Sequence, residues 1–275
     1  GYSLAESQVG YCYSRGKGVE KDEKQGLDWY MKAAKHGDAA AQYNLAYTYT
    51  TGALVELNTE EAFKWFLKSA EQGYALSQGQ VGYRYYNGIG VSKNLEEAFK
   101  WFQKAANNGN VQAMKSLGAC YYNGDGIAIN TEEGFKWYLK AANLNDNEAM
   151  GEVGYSYLNG IGTLKDEKKG FEWGLKSAEE GCASSQWLVG NCYNYGQGTE
   201  RDYKKAFYWY QKATEQHLGD AYNALAYCYI WGHGINKNET KAFETIDKAI
   251  ELAPNNLDYK DTDNITQMIP PVSLK

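Results

Sequence analysis

The spacing of apolar and polar residues over the first 36 positions predicts two helices joined by a short loop. Ala5, Val9 and Tyr13 recur at helical spacing over residues 4–15, and they predict a first helix, called helix A. Gly16 ends this helix, because glycine readily takes the left-handed conformation that closes a helix C-terminus. The Gly-x-Gly stretch that follows is read as a loop.

Residues 23–35 predict a second helix, called helix B, with Leu27, Tyr30 and Ala33 on one stripe. An Asp or Asn precedes helix B in every copy of the pattern and is a typical N-cap. In four copies a Gln or Glu follows three places later, which resembles a capping box. The N-cap positions are Asp22, Asn58, Asn94, Asn130, Asp166, Asp202 and Asn238, and the later residues are Gln25, Glu61, Glu97 and Glu133.

This helix–loop–helix pattern returns every 36 residues without an insertion. A Tyr near the end of helix A, the Gly after it, and a Trp and a Lys in helix B all keep this spacing. The Trp series is Trp29, Trp65, Trp101, Trp137, Trp173 and Trp209, with Thr245 in the seventh place. A fixed period of this length is typical of stacked repeats, because a single hairpin cannot bury its own apolar stripe.

The chain is therefore predicted to be all-α, with a single array of seven repeats over residues 1–254. The repeats are expected at about 2–37, 38–73, 74–109, 110–145, 146–181, 182–217 and 218–254. Residues 255–275 leave the register and predict a C-terminal capping helix, at 257–268, followed by a tail. Because Gly1 lies inside the first repeat, the chain is expected to be part of a longer protein.

Small residues in the middle of helix A predict close packing of the two helices. Five of the seven copies carry a glycine there, which costs about 1 kcal/mol relative to alanine and implies a packing reason. These glycines are Gly10, Gly82, Gly118, Gly154 and Gly190. The Trp series is predicted to fill the gaps between neighbouring helix pairs, and a ligand-binding role for the whole series is the alternative.

The residues at these positions resemble a known family. The run VGYRYYNGIGVSKNLEEAFKWFQKAANNG, residues 81–109, is similar to the Sel1-like repeat, a relative of the tetratricopeptide repeat. The resemblance extends over most of the chain and implies a right-handed α/α superhelical solenoid, with helix A lining the concave face. Copy two departs from the pattern at Leu54, which replaces the second loop glycine. Copy seven ends in KAIELAPNN, closer to an ordinary tetratricopeptide ending.

Composition and motifs argue against several classes of function. The net charge of −6, without a cluster of Lys and Arg, provides no basic surface for nucleic acid. The chain contains no run of 18 apolar residues, so no membrane-spanning helix is predicted. The Gly-x-Gly loops follow a helix, whereas dinucleotide binding needs a preceding strand. His36, His217 and His233 are not paired at metal-ligand spacing, and no nucleophile motif occurs. We therefore predict no cofactor, no metal and no enzymatic activity.

The five cysteines are predicted to be free thiols. Cys12, Cys120, Cys192 and Cys228 share one position of helix A, and only the last two belong to adjacent copies. Stacked helices about 8–10 Å apart would hold those two beyond disulfide reach. Unpaired cysteines weakly favour a reducing, cytoplasmic compartment, although a chain that had lost a signal peptide would look the same.

The resemblance places partner-binding residues at the second, fifth, ninth, twelfth and thirteenth positions of helix A, which are rich in Tyr, Trp and Asn here. Aromatic rings supply contact area at low entropic cost, and Asn amides can hydrogen-bond the backbone of an extended peptide. We therefore expect a protein or extended peptide to bind this face. The predicted partner-binding residues are Tyr43, Tyr47, Tyr83, Tyr86, Asn87, Tyr122, Asn123, Tyr155, Asn159, Trp187, Asn191, Asn194, Tyr195, Tyr227 and Trp231.

Two alternatives accompany this prediction. Asn87, Asn123 and Asn159 could simply complete helix A. Aromatic faces also stack on sugar rings, so a glycan-binding or cell-envelope adaptor is the second hypothesis for the same surface. Trp187 and Trp231, together with Tyr195, are the strongest candidates, because they break the repeat pattern and are not explained by the needs of the scaffold.

Overall fold

The computed structural model describes residues 2–52 and 54–252, and these residues form fourteen α-helices and no strand, as the periodicity predicts. Odd-numbered helices correspond to helix A and even-numbered helices to helix B. The helices are α1 Tyr2–Arg15, α2 Glu23–Lys35, α3 Ala39–Thr51, α4 Thr59–Glu71, α5 Ala75–Asn87, α6 Leu95–Asn107, α7 Val111–Asn123, α8 Thr131–Asn143, α9 Asn147–Asn159, α10 Glu167–Glu179, α11 Ala183–Tyr195, α12 Tyr203–Thr214, α13 Gly219–Trp231 and α14 Glu239–Leu252. The predicted capping helix and tail lie outside the described residues.

The chain divides into two compact units, Gly1–Ala141 and Ala142–Lys275. Within the first unit, α1 packs on α2, α3 on α4 and α5 on α6, and each even helix packs on the odd helix that follows it. The second unit repeats this order from α9 to α14. Each helix pair therefore buries its apolar stripe against its neighbours, as expected for stacked repeats.

The predicted N-caps of helix B are confirmed. In all seven copies the side-chain oxygen of the Asp or Asn accepts a backbone N–H of the first turn. The other contact of a capping box, from the Gln or Glu side chain back to the backbone N–H of the N-cap residue, is not formed within the described residues, so that part of the prediction is wrong. The backbone N–H of Asn94 donates instead to the carbonyl of Tyr85 at 2.8 Å, and Glu97 pairs with Lys100 at 2.8 Å. The loop thus returns the chain onto helix A, and this bond replaces the contact that the Glu would make.

Four of the five mid-helix glycines of helix A face large rings of helix B, which confirms their predicted packing role. A Cβ on Gly82 would lie 2.6 Å from the ring of Phe102, and one on Gly190 would lie 2.4 Å from the ring of Tyr210. Both distances are far inside van der Waals contact. The absence of a side chain therefore lets the ring lie directly on the backbone of helix A.

The fifth copy solves the same packing problem without a ring. Gly174 stands where the other copies carry Tyr30, Phe66 or their equivalents. A Cβ on Gly154 would there meet the backbone nitrogen of Gly174 at 2.8 Å. The missing ring is thus compensated by a close approach of the two helix backbones.

The tryptophans are less buried than predicted. Trp101 is buried, at 8% exposure, and joins the core of the first unit, but the other members of the series are half-buried. In five copies the Lys three residues later places its ammonium 3.8–4.9 Å from the centre of the indole ring. A cation–π contact of this kind stabilises a ring that has one face in solvent, and it explains why Trp and Lys recur together.

Arg84 is the main departure from the repeat inside the first unit. Its position on helix A holds a Cys, Ser or Thr in the other copies. The side chain is only 2% exposed, its Nη2 donates to Oγ1 of Thr50 at 2.6 Å, and its guanidinium lies 4.8 Å from the ring centre of Phe66. Within the described residues, Nε and Nη1 have no hydrogen-bond partner. Burial lowers the pKa of this guanidinium and costs stability.

The five cysteines are free, as predicted. Burial raises the pKa of Cys120, Cys192 and Cys228 to about 12 in each case. These thiols fill small sites beneath helix A and stay protonated at neutral pH.

Candidate functional site

The predicted partner-binding residues all lie on odd-numbered helices, α3 to α13. Their spacing of four, seven and eight residues places them on one side of each helix. The exposed members include Tyr47, Tyr83 and Tyr155, and Tyr195 is the most open, at 64% exposure. This exposed side of the odd-numbered helices, taken separately in each unit, is called the aromatic face.

Three predicted tyrosines contribute to packing as well as to the surface. Tyr43 contacts the ring of Phe66 edge-on at 5.5 Å, and Tyr122 contacts Tyr138 in the same way at 5.3 Å. The hydroxyl of Tyr86 donates to Oδ2 of Asp125 at 2.8 Å; this hydrogen bond and burial raise the pKa of Tyr86. These rings are half-buried and fixed in place.

Two of the predicted asparagines complete helix A. The side-chain nitrogen of Asn87 donates to the carbonyl of Tyr83, and that of Asn159 donates to the carbonyl of Tyr155, both at 2.9 Å. Asn123 instead reaches Oδ2 of Asp125 at 3.4 Å. These bonds favour the scaffold interpretation of the series, although the three side chains remain exposed. Their role in partner binding stays a prediction.

In the second unit, one cavity brings together six of the predicted residues. It has a volume of about 360 Å³ and lies between α11 and α13; it is called the tryptophan cavity. The six predicted residues among those that line it are Trp187, Asn191, Asn194, Tyr195, Tyr227 and Trp231. Its walls thus combine flat aromatic surfaces with amides, which is typical of a ligand site.

The tryptophan cavity also contains residues that the sequence did not single out. Tyr210, from helix B, donates its hydroxyl to Oδ1 of Asn191 at 2.7 Å and fixes that amide. Asp220 and His233 also line the cavity. Burial and the nearby Arg201 lower the pKa of His233, so this ring is neutral at neutral pH. Asp220 occupies the second position of helix A, so its place in the repeat could have indicated it.

The first unit holds a cavity of about 480 Å³ between α5 and α7. It brings together the predicted residues Tyr43 and Tyr83. The cavity exists because Gly79 occupies the fifth position of helix A, where the preceding copy has Tyr43 and copy six has Trp187. A departure toward a smaller residue therefore opens space on the aromatic face.

A third cavity, of about 220 Å³, lies between α9 and α11 in the second unit and is called the acidic cavity. Gly151 again occupies the fifth position and leaves the space open. The walls include Glu152, Tyr155 and Trp187. Trp187 lines both this cavity and the tryptophan cavity, so the two are neighbours on one surface.

The described residues show no arrangement suited to metal binding, since no three His, Cys, Asp or Glu side chains come together there. His233 stacks on the ring of Tyr203 at 4.0 Å, and Nδ1 of His36 contacts a carboxylate oxygen of Glu6 at 2.7 Å. Among the helices described, none is both long and apolar enough to cross a membrane. The aromatic face offers contact surfaces and hydrogen-bonding groups.

Comparison with known proteins is consistent with this architecture. The family model of the Sel1 repeat matches the chain seven times in succession, at residues 3–38, 39–74, 75–110, 111–146, 147–182, 183–218 and 219–252. No curated protein matches the chain.

Several solved structures resemble it. The protective antigen c5321 of uropathogenic Escherichia coli, which displays an SLR fold, is 30% identical with a TM-score of 0.82, over 94% of this chain and 55% of that chain. The present chain therefore spans about half the length of that relative. A Sel1 repeat protein from Oxalobacter formigenes is 33% identical with a TM-score of 0.80, over 89% of this chain and 96% of that one. The APC/C hetero-tetramer Cut9–Hcn1 shares the fold alone, at 12% identity and a TM-score of 0.57, over 98% and 53% of the two chains.

Sel1 repeat proteins are generally non-enzymatic scaffolds for protein interaction. The 36-residue register, the paired helices and the seven consecutive family matches all agree over the described residues. The chain belongs to the Sel1 repeat family.

Proposed function

We propose that this protein is a non-enzymatic scaffold that captures an extended segment of a partner protein on its aromatic face. The observation that carries the proposal is the tryptophan cavity, where two Trp, three Tyr and three Asn side chains line one space of about 360 Å³. Residues such as Trp and Tyr provide most of the binding energy at protein interfaces, where they act as anchors in partly closed pockets.

The exposure of these rings supports the proposal. Trp231 is 44% exposed and Tyr195 is 64% exposed, so neither ring is needed to fill the core of its own repeat. Exposed apolar side chains that lie together in one patch, unlike single ones, usually mark an interaction site. The surrounding amides of Asn191 and Asn194 can donate to and accept from a peptide backbone.

The same combination of rings and amides also suits sugars, so a glycan is the second candidate ligand. Flat aromatic walls stack on the apolar faces of sugar rings, and amides bond hydroxyl groups. We favour the peptide, because the exposed rings of Tyr155, Tyr195 and Tyr227 continue along the odd-numbered helices of the second unit, and such a row suits a long ligand.

Isothermal titration against extended peptides and against glycan fragments separates the two candidates. Heat with peptides and none with glycans is the expected result. The double variant Trp187→Ala, Trp231→Ala should weaken peptide binding by about 2–4 kcal/mol, or roughly 30- to 1000-fold. Tyr208→Ala is the matched control, because this exposed ring lies on helix B of the same unit. Unchanged affinity in a folded double variant, shown by circular dichroism, would place the site elsewhere.

A further inference from the structure

The acidic cavity carries a charge that its own surroundings do not compensate. Glu152 lies beside Tyr155, Trp187 and Leu188. Within the described residues its carboxylate has no ion-pair or hydrogen-bond partner. Its side chain is open to solvent on one side, while the aromatic and aliphatic walls cover the other. A carboxylate on such a wall attracts a cation more strongly than one in free solution.

The neighbouring charges reinforce this. Burial, and then the like charge of Glu148, raise the pKa of Glu152. Both effects disfavour the ionised carboxylate of Glu152, so a cation placed beside it would relieve them. The hydroxyl of Ser185, also in the wall, is hydrogen-bonded to Ser177 at 2.7 Å. It is part of a buried serine pair and does not neutralise the carboxylate.

The odd-numbered helices of the second unit add no positive charge to the aromatic face. The three odd-numbered helices there, α9, α11 and α13, contain no Lys or Arg at all. Their acidic residues are Glu148, Glu152 and Asp220. Asp220 lines the tryptophan cavity, and Glu152 lines the acidic cavity. A ligand that follows this face therefore meets no cationic side chain from these helices.

We infer that the acidic cavity receives a Lys or Arg side chain of the captured segment, while a neighbouring residue of that segment occupies the tryptophan cavity. This inference rests on the proposed function. The carboxylate of Glu152 pairs with the cationic head, and the rings of Tyr155 and Trp187 contact the aliphatic stem and offer cation–π surface. Gly151 provides the room, because any side chain at this position would project toward Ser185, whose Oγ would lie 2.4 Å from an added Cβ.

A random peptide library displayed on phage tests the inference directly. The library is selected in parallel on the wild-type protein, on Glu152→Gln and on Glu172→Gln. Glu172 is an exposed acid on helix B of the same unit, so its variant makes the same change of charge away from the aromatic face. We expect peptides from the wild type and from Glu172→Gln to share a Lys or Arg at a fixed distance from an aromatic or aliphatic residue. Selection on Glu152→Gln should lose that basic residue.

One selected peptide then gives a quantitative test. Its affinity should fall about tenfold with Glu152→Gln and stay unchanged with Glu172→Gln. Replacing the basic residue of the peptide by norleucine should remove the difference between Glu152→Gln and wild type, because the pair is then already broken. Peptides that bind tightly without a basic residue, or that ignore Glu152→Gln, overturn the inference and leave peptide capture standing. If no peptide is enriched on the wild type, peptide capture itself fails.

Discussion

The close approach of helix A and helix B can be tested with two glycines of the second unit. Gly190 and Gly174 both lie inside helices, and alanine is the better helix former at either place by about 1 kcal/mol. Their surroundings differ. A Cβ on Gly190 would lie 2.4 Å from the ring of Tyr210, whereas one on Gly174 would meet only Leu188 at 3.4 Å and Val189 at 3.7 Å, in ordinary contact.

These distances set the expected size of each effect. Overpacking a core costs about 1–3 kcal/mol, and Gly190→Ala should lie near the upper end. Tyr210 is only 2% exposed and its hydroxyl is held by Asn191, so the ring cannot move aside without losing that bond. After the helix-propensity gain, Gly190→Ala should destabilise the unit by about 1–2 kcal/mol. Gly174→Ala should stabilise it by about 0.5–1 kcal/mol.

Urea denaturation followed by circular dichroism measures both variants, with amide hydrogen exchange of the second unit as a local readout. Repeat proteins do not always unfold in two states. Because both substitutions lie in the same unit, the difference between their effects, about 1.5–3 kcal/mol, is the quantity to compare. Equal shifts in the same direction would refute the idea that the ring of Tyr210 sets the distance between the helices. A destabilised Gly174→Ala would refute the claim that copy five has room at that position.

Three further predictions follow from the packing. Trp101→Ala should cost about 3–5 kcal/mol of unfolding free energy, because this indole is buried in the core of the first unit, whereas the exposed Trp231→Ala should cost much less; equal losses in denaturant would contradict this. Arg84→Met should raise the free energy of unfolding by about 1–3 kcal/mol, because it removes a buried charge with unsatisfied nitrogens, and a lowered midpoint would contradict it. Burial opposes ionisation of Cys182, but hydrogen bonds with Ser side chains lower its pKa, while burial raises the pKa of Cys192 to about 12. A thiol reagent at mildly alkaline pH should therefore label Cys182 before Cys192. Mass spectrometry measures the order, and labelling of Cys192 before Cys182 would contradict the prediction.

Much of the fold could be predicted from the sequence because the same structural residues recur at the same positions in seven copies. The N-caps such as Asp22 and the glycines such as Gly82 have local causes, in a turn or a close contact, and these are visible in the period. The capping-box prediction was wrong because the backbone N–H of the N-cap residue donates to a carbonyl of the preceding helix. That contact depends on how the loop folds back and not on which residues are three positions apart.

The candidate site was predictable where a residue is larger than its equivalents in the other repeats, and not where it is smaller. Trp187 and Trp231 stood out as large departures, and both line the tryptophan cavity. Gly79 and Gly151 are equally clear departures, but their effect is an absence that becomes visible only when the neighbouring helices are in place. Glu152 was also missed, because an acidic residue on a helix is usually a solvated charge and its place beside a cavity is visible only in the structure.

Photo-crosslinking of a selected peptide tests most directly whether partner capture occurs on the aromatic face. The peptide carries a photoreactive group at either end, and mass spectrometry locates the attached residues in the second unit. We predict crosslinks to α11 and α13, among residues that line the tryptophan cavity. Crosslinks confined to the even-numbered helices α10, α12 and α14 would contradict the account.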